Sequence, residues 1–272
     1  MPIFHAIVLG ITQGLSEFLP ISSSGHLILV PWLFGWDDFA GDNSLEKAFD
    51  VALHLGTLVG AIAYFRKDIL RYLKAAFTPA GRGTDDRRIA WLLVVSAVPA
   101  AVTGALFVDV IEEKTGSIPL IALMLIAFGL VLAWADSLGG TRPLESVRLR
   151  DALLMGAGQA VALQPGVSRS GVTMTTGRWL GLARDSAARF AFLMSLPITA
   201  GALLFKWFDL SSEGGIPAGF GPAFFWGIVA SGITGWLAVW GTLKLVKTHS
   251  FMPFVIYRVG LGVLVLLVYA VR

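Results

Sequence analysis

Long apolar stretches recur along the chain, divided by short polar segments. Leu45–Phe65, Ile89–Val108, Ile118–Ala135, Ala187–Phe205, Phe224–Leu243 and Phe254–Val271 are the clearest. Each runs about 18–21 residues, close to the ~20 an α-helix needs to cross the hydrocarbon core. The pattern predicts six transmembrane helices. Two further apolar segments break too early. Pro2–Pro31 meets the polar run SSSGH about two-thirds of the way along, leaving only 8 residues between His26 and Gly35. A helix of that length covers ~12 Å, under half the core thickness. Ala152–Leu163 likewise runs into QPGVSRSG before it can cross. Both segments predict re-entrant helical hairpins that enter and leave on one face. Irregular backbone survives at that depth only when buried in protein or lining a wet cavity. The expected fold is therefore an all-α polytopic membrane protein with six spans and two hairpins.

Composition strengthens this reading. Of 272 residues, 56% are hydrophobic and 14% charged, where about 25% charged is usual in soluble domains. The net charge of +3 sits mostly in loops, so it signals topology and not a nucleic-acid partner. The absence of cysteine excludes disulfides and thiolate metal sites. MPIFHAIVLG lacks a basic start, and Gln13 and Glu17 interrupt the apolar run, so no cleavable signal is expected. The segment after the first span carries Arg66, Lys67, Arg71, Lys74, Arg82, Arg87 and Arg88. By the positive-inside rule it faces the cytoplasm. Alternating from there places Arg142, Arg148, Arg150, Lys244 and Lys247 inside as well. The opposite loops, Asp37–Lys47, Asp109–Lys114 and Lys206–Gly215, are net acidic, and only Arg272 stands against the bias. The first hairpin then enters from outside. The second enters from the cytoplasm, under a basic surface carrying Arg178 and Arg184.

The hairpins match each other. At an offset of 146, Gly10, Gln13, Ser22, Ser24 and Gly25 fall on Gly156, Gln159, Ser168, Ser170 and Gly171. Further matches join Phe49 to Phe190 and Trp91 to Trp226. These define internal repeats of about 1–137 and 150–272 within a single membrane domain. Each holds one hairpin and three spans, so the repeats are inverted in the bilayer. Such folds place their site near the midplane, where half-helix starts converge.

Serine and glycine at a helix start leave N–H groups and dipole potential for an anion. This makes Ser22, Ser24, Gly25, Ser168, Ser170 and Gly171 candidate substrate-binding residues. The tips differ where Ser23 is matched by Arg169, and His26 by Val172. One tip brings reactive groups and the other a guanidinium, whose planar fork suits phosphoryl oxygens. An ionisable Glu17 inside an apolar helix is itself a functional signal. Gln13 stacks one turn before it and is a further substrate-binding candidate, and a carboxylate at Glu17 can hold Mg²⁺ or Ca²⁺ alongside substrate phosphates. His26 can relay protons or attack phosphorus. Glu46, Asp50, His54 and Thr57 lie on one face of the first span, as an entry path or as interhelical hydrogen bonding. Arg258, near the cytoplasmic end of the last span, is expected to snorkel.

QGLSEFLPISSSGHLIL and PGVSRSGVTMTTG resemble the two signature regions of the undecaprenyl-pyrophosphate phosphatase family of bacitracin-resistance membrane enzymes. The resemblance covers the whole chain. It implies removal of one phosphate from an undecaprenyl or other polyprenyl pyrophosphate, recycling the carrier for cell-wall synthesis. It also implies a site including Glu17, Ser23, His26 and Arg169, assisted by Mg²⁺ or Ca²⁺. The family's acidic pair has Gln13 at its first position here, so Glu17 is the remaining carboxylate. Two chemistries stay open: Ser23 as nucleophile with His26 as base, or His26 attacking with Glu17 positioning it. The implied setting is the bacterial plasma membrane, with membrane lipids as surroundings, the pocket facing the periplasmic or extracellular side, and a homodimer compatible. A secondary transporter or lipid flippase on the same repeats is the rival reading. The lipid phosphatases with PSGH and SR…H motifs fit less well, because no histidine follows Arg169 up to Thr176.

Overall fold

A computed structural model describes residues 1–212 and 219–272, with backbone alone for residue 43, 108–115 and 207–212. The acidic segment Asp109–Lys114 and most of Lys206–Gly215 thus lie outside the described side chains. The chain is helical: α1 (Ile3–Phe18), α2 (Ser23–Phe34), α3 (Asn43–Phe77), α4 (Asp85–Thr115), α5 (Ile118–Ser137), α6 (Leu149–Val161), α7 (Arg169–Trp179), α8 (Arg184–Ser212), α9 (Gly221–Leu245) and α10 (Met252–Val271). Six of these, α3, α4, α5, α8, α9 and α10, are long and apolar enough to cross a membrane. Only 28–50% of each apolar window is buried within the protein, which leaves the rest for lipid. The other four have 16, 12, 13 and 11 residues. They rise only ~16–24 Å against a core of ~30 Å, too short for any one of them to cross it.

Local signals set the helix ends. Asp42 caps α3 by accepting from the Ser44 and Leu45 amides, with Glu46 in the first turn and Lys74 in the last. Thr84 caps α4 ahead of Asp85 and Asp86. These charges suit the helix dipole at their ends.

Loop contacts sort into two faces. On the basic face Arg88 donates to the Glu145 carbonyl. There Arg142 also pairs with Asp151 at 2.6 Å and donates to the Leu180 carbonyl at 2.7 Å, clipping both ends of the second hairpin to the preceding loop. Asp136 accepts from Arg178, Arg184 and the Phe251 amide on the same face. On the other face His5 pairs with Asp38 at 2.9 Å. Arg272 donates to the Trp32 and Leu33 carbonyls at the end of α2. The one arginine that opposes the charge bias is therefore a helix C-cap.

Two expectations about arginines are corrected. Arg178 does not form a basic surface: it is 2% exposed and spent on Asp136 and the Gly140 and Leu182 carbonyls. Arg258 does not snorkel: it is fully buried and points inward to backbone carbonyls. Each finds enough acceptors in the interior to replace water, which the linear sequence does not display.

Small residues let helices from distant parts of the chain approach closely. A Cβ on Gly10 would meet the Gly227 carbonyl, one on Gly14 the Ser231 carbonyl, and one on Gly60 the Gly232 carbonyl. α1 and α3 are thereby seated against α9. Gly156 of α6 meets the Ser96 carbonyl and Pro99 of α4 in the same way. Each hairpin packs against a span from the other half of the chain, and this drives the two tips toward each other.

Candidate active site

The tips are built alike. Ser22 and Ser168 precede α2 and α7 with φ of 78° and 75°, a left-handed conformation costing non-glycine residues ~1–3 kcal/mol. Each hydroxyl caps its helix, Ser22 Oγ accepting from the Gly25 amide and Ser168 Oγ from the Gly171 amide. Ser22 Oγ also accepts from the Gly166 amide of the opposing tip at 3.1 Å, and Ser170 Oγ donates to the Leu19 carbonyl at 3.0 Å. These serines brace the tips against each other. Gly171 is closely packed, since a Cβ there would lie 2.8 Å from Arg258 Nη1 and 3.0 Å from Ser168 Cβ. Ser24 is exposed beside Gly25.

The reactive groups gather on Glu17, in the last turn of α1. Its Oε2 accepts from Ser23 Oγ at 2.7 Å and from Gln13 Nε2 at 3.1 Å. Its Oε1 is ion-paired with Arg169 of the opposing tip. Arg169 Nη1 also donates to Thr199 Oγ1 at 2.7 Å. His54 Nε2 stands 3.6 Å from Oε2, while its Nδ1 donates to the Asp50 carbonyl at 2.8 Å. The polar line on α3 thus starts at Glu17 and runs through half-buried Asp50 to exposed Glu46.

Glu17, Ser23, Gln13 and Arg169 are therefore brought together, whereas His26 is turned elsewhere. Its Nδ1 faces the Ser22 carbonyl at 2.6 Å and its Nε2 the Tyr257 hydroxyl at 2.8 Å. A carbonyl only accepts, so Nδ1 carries the hydrogen and Nε2 accepts from the tyrosine. The Ser23 proton points at Glu17. Thr199 and Tyr257 carried no sequence signal, being ordinary residues of apolar spans. Arg258 did, as a charge inside a span.

The donor set suits an oxygen-seeking cation. Gln13 Oε1 is buried with no hydrogen-bond partner, next to the Glu17 carboxylate and the Ser23 hydroxyl. Among the described residues no three His, Asp or Glu side chains converge. A divalent ion here would have to take most of its oxygens from phosphate or water.

These features define a class: a polytopic helical membrane protein whose two short-helix pairs meet at a Glu–Ser–Arg cluster around a buried carboxylate. The chain belongs to the bacitracin resistance protein BacA family, whose model matches residues 6–264. It is 49% identical over 266 residues to an undecaprenyl-diphosphatase of Geobacter sulfurreducens, covering 96% of each chain. It is 46% identical to one from Pelotomaculum thermopropionicum, covering 100% of this chain and 98% of that one. The Moorella thermoacetica undecaprenyl-diphosphatase is 43% identical over the full length of both.

Proposed function

We propose that the protein hydrolyses undecaprenyl pyrophosphate to the monophosphate and phosphate, returning the carrier to cell-wall synthesis. The observation that carries this reading is the Ser23–Glu17–Arg169 cluster. It puts a hydroxyl, its proton acceptor and a phosphate-seeking guanidinium at two facing helix starts, in a chain of this family. The terminal phosphoryl group sits between the tips, where Arg169 exchanges Glu17 for phosphate oxygens. Ser23 Oγ attacks phosphorus as its proton passes to Glu17, and the bond to the lipid monophosphate breaks. Water then cleaves the phosphoserine, releasing phosphate and restoring the hydroxyl. Arg169 meets the charge that builds on the transferring oxygens. Glu17 and Gln13 Oε1 would hold Mg²⁺ or Ca²⁺, which would supply charge neutralisation on the phosphates. His26 acts indirectly, its Nδ1–H holding the Ser22 carbonyl in the first turn of α2.

The pocket opens on the face of the acidic loop Asp37–Lys47, the periplasmic or extracellular side of the plasma membrane. The polar line from Glu17 through His54 and Asp50 to Glu46 supports this side, and the prenyl tail leaves sideways into lipid, where its apolar burial is kept. The halves 1–137 and 150–272 are inverted repeats; the reciprocal packing of α1 on α9 and α6 on α4 supports this.

The test is phosphate release from polyprenyl pyrophosphates by the purified protein, with and without chelator. Ser23→Ala should abolish release and Ser24→Ala should not. Phosphate release unaffected by Ser23→Ala would remove Ser23 from the reaction.

A further inference from the structure

Arg258 lies within the last span, fully buried, and among the described residues no carboxylate contacts it. Its guanidinium instead donates to five backbone carbonyls. Nε reaches Leu125 at 3.1 Å, Nη1 reaches Pro20 at 3.2 Å, and Nη2 reaches Met124, Gly166 and Val167 at 3.4, 3.0 and 3.0 Å. Pro20 belongs to the first hairpin tip. Gly166 and Val167 belong to the second, immediately before the left-handed Ser168. One side chain therefore grips both turns from behind. Carbonyl dipoles satisfy its hydrogen bonds without cancelling its charge, which stays as a fixed positive source beneath the tips.

The residue before it, Tyr257, grips the remaining group of the first tip. Its hydroxyl donates to His26 Nε2 at 2.8 Å, and the two rings lie nearly parallel at 10° with centroids 5.7 Å apart. With the Ser22 carbonyl on Nδ1, both imidazole nitrogens are fixed and so is the tautomer. Two consecutive residues of α10 thus reach the site without belonging to either hairpin.

We infer that Tyr257 and Arg258 form a positioning pair for the reaction. Arg258 holds the two tips in register so that Arg169 meets Glu17 and Ser23, and Tyr257 holds the orientation and tautomer of His26, whose Nδ1–H in turn holds the Ser22 carbonyl and so the peptide that presents Ser23. The relatives' names and the family match assign no role to either residue. The inference rests on the diphosphatase reading for its kinetic arm only.

Tyr257→Phe keeps the ring and removes one hydroxyl. In the full-length protein in lipid nanodiscs, kcat for polyprenyl pyrophosphate should fall about 10–100-fold, the range for a lost orienting hydrogen bond. KM and the unfolding midpoint should stay near wild type. The nitrogen-15 spectrum should show the His26 Nε2 resonance moving toward that of an unbonded imidazole nitrogen. The chain has four histidines, so His26→Gln identifies the signal. An unmoved His26 resonance, or an unchanged kcat, would overturn the role of Tyr257. For Arg258 the variant is Arg258→Lys, which keeps the charge and loses the fork. Spin labels on cysteines at Ser24 and Val161, both exposed, should report a broadened distance between the tips, with kcat reduced about 100-fold. A sharp, wild-type distance distribution with full turnover would overturn it. If Arg258→Lys fails to fold, Arg258→Gln takes its place and should likewise broaden the distance between the tips in the folded protein; a sharp, wild-type distribution there also overturns the role. Wild-type protein that releases no phosphate would sink the diphosphatase reading alone, because the nitrogen spectrum and the label distances test the pair without turnover.

Discussion

The Arg169 guanidinium, from the first residue of α7, pairs with the Glu17 carboxylate in the last turn of α1, 152 positions away in sequence. This pair is the chemical meeting point of the two hairpins. A buried carboxylate that loses its partner is strongly unfavourable, so in the free protein the pair keeps both groups satisfied. In the proposed reaction, a phosphate that competes for the guanidinium would release the carboxylate at the moment Ser23 needs a proton acceptor.

Arg169→Lys tests this exchange. Lysine keeps the charge but cannot span a phosphate with two parallel donors while holding Thr199. Turnover should drop about 100-fold, on the order of 3 kcal/mol of transition-state stabilisation. Kinetics near wild type in the lysine variant would show that charge alone suffices.

Ser22 and Ser23 are neighbours with opposite expected phenotypes. Ser22 Oγ satisfies two buried amides, of Gly25 and Gly166, so Ser22→Ala should destabilise the protein by about 2–4 kcal/mol. Ser23→Ala touches only the hydrogen bond to Glu17 and should leave the unfolding midpoint nearly unchanged while activity is lost. Denaturation and phosphate release measured on both variants separate the brace from the proposed nucleophile.

Much of this arrangement could be read from the linear sequence, for identifiable reasons. Span length and hydropathy are set by bilayer thickness, so six spans and two short hairpins followed from counting. The tip serines and Arg169 stood out because polar residues inside apolar runs need a reason. The polar line ending at His54 was visible as a helical face, but its contact with Glu17 depends on how α3 packs. Arg178 and Arg258 were misplaced because an arginine near a helix end can reach water or a cage of carbonyls, and only tertiary packing decides which. The left-handed serines were not legible at all, since that backbone usually selects glycine, and Tyr257 looked like any aromatic of a span.

Glu17→Gln should shift metal dependence much more than Gln13→Ala. The glutamine keeps the shape but loses the one carboxylate in the cluster, whereas Gln13 contributes a neutral oxygen. The half-saturating Mg²⁺ or Ca²⁺ concentration should rise at least tenfold for Glu17→Gln and only a few-fold for Gln13→Ala. Superimposable titrations of wild type and Glu17→Gln would place the ion on substrate alone.

The clip at the mouth of the second hairpin gives a pH dependence. Burial of Asp151 acts to raise its pKa, but the hydrogen bonds from Arg142 and the Arg148 amide outweigh this and hold it below the usual 3.8. A depressed folded-state pKa stabilises above the unfolded value and is lost as pH falls through the folded one. The gap in unfolding midpoint between wild type and Asp151→Asn should be full near neutral pH and shrink below about pH 4. A gap independent of pH would mean that the clip works by shape and not by charge.

Sidedness joins the fold to the reaction, and cysteine labelling can decide it. The chain has no native cysteine, Ser24 is exposed at the first tip, and Ser170 is buried with its hydroxyl on Leu19. Ser24→Cys should react with an impermeant thiol reagent added outside intact cells, more slowly when a polyprenyl pyrophosphate occupies the tips. Ser170→Cys should be unreactive from either side. Glu145→Cys, exposed on the basic face, should react only after the membrane is opened, because the positive-inside rule puts that face in the cytoplasm. Seven basic residues between Arg66 and Arg88 make this orientation costly to reverse. Ser24→Cys that reacts only from the cytoplasm would therefore reverse both the orientation and the route by which the pyrophosphate reaches Arg169.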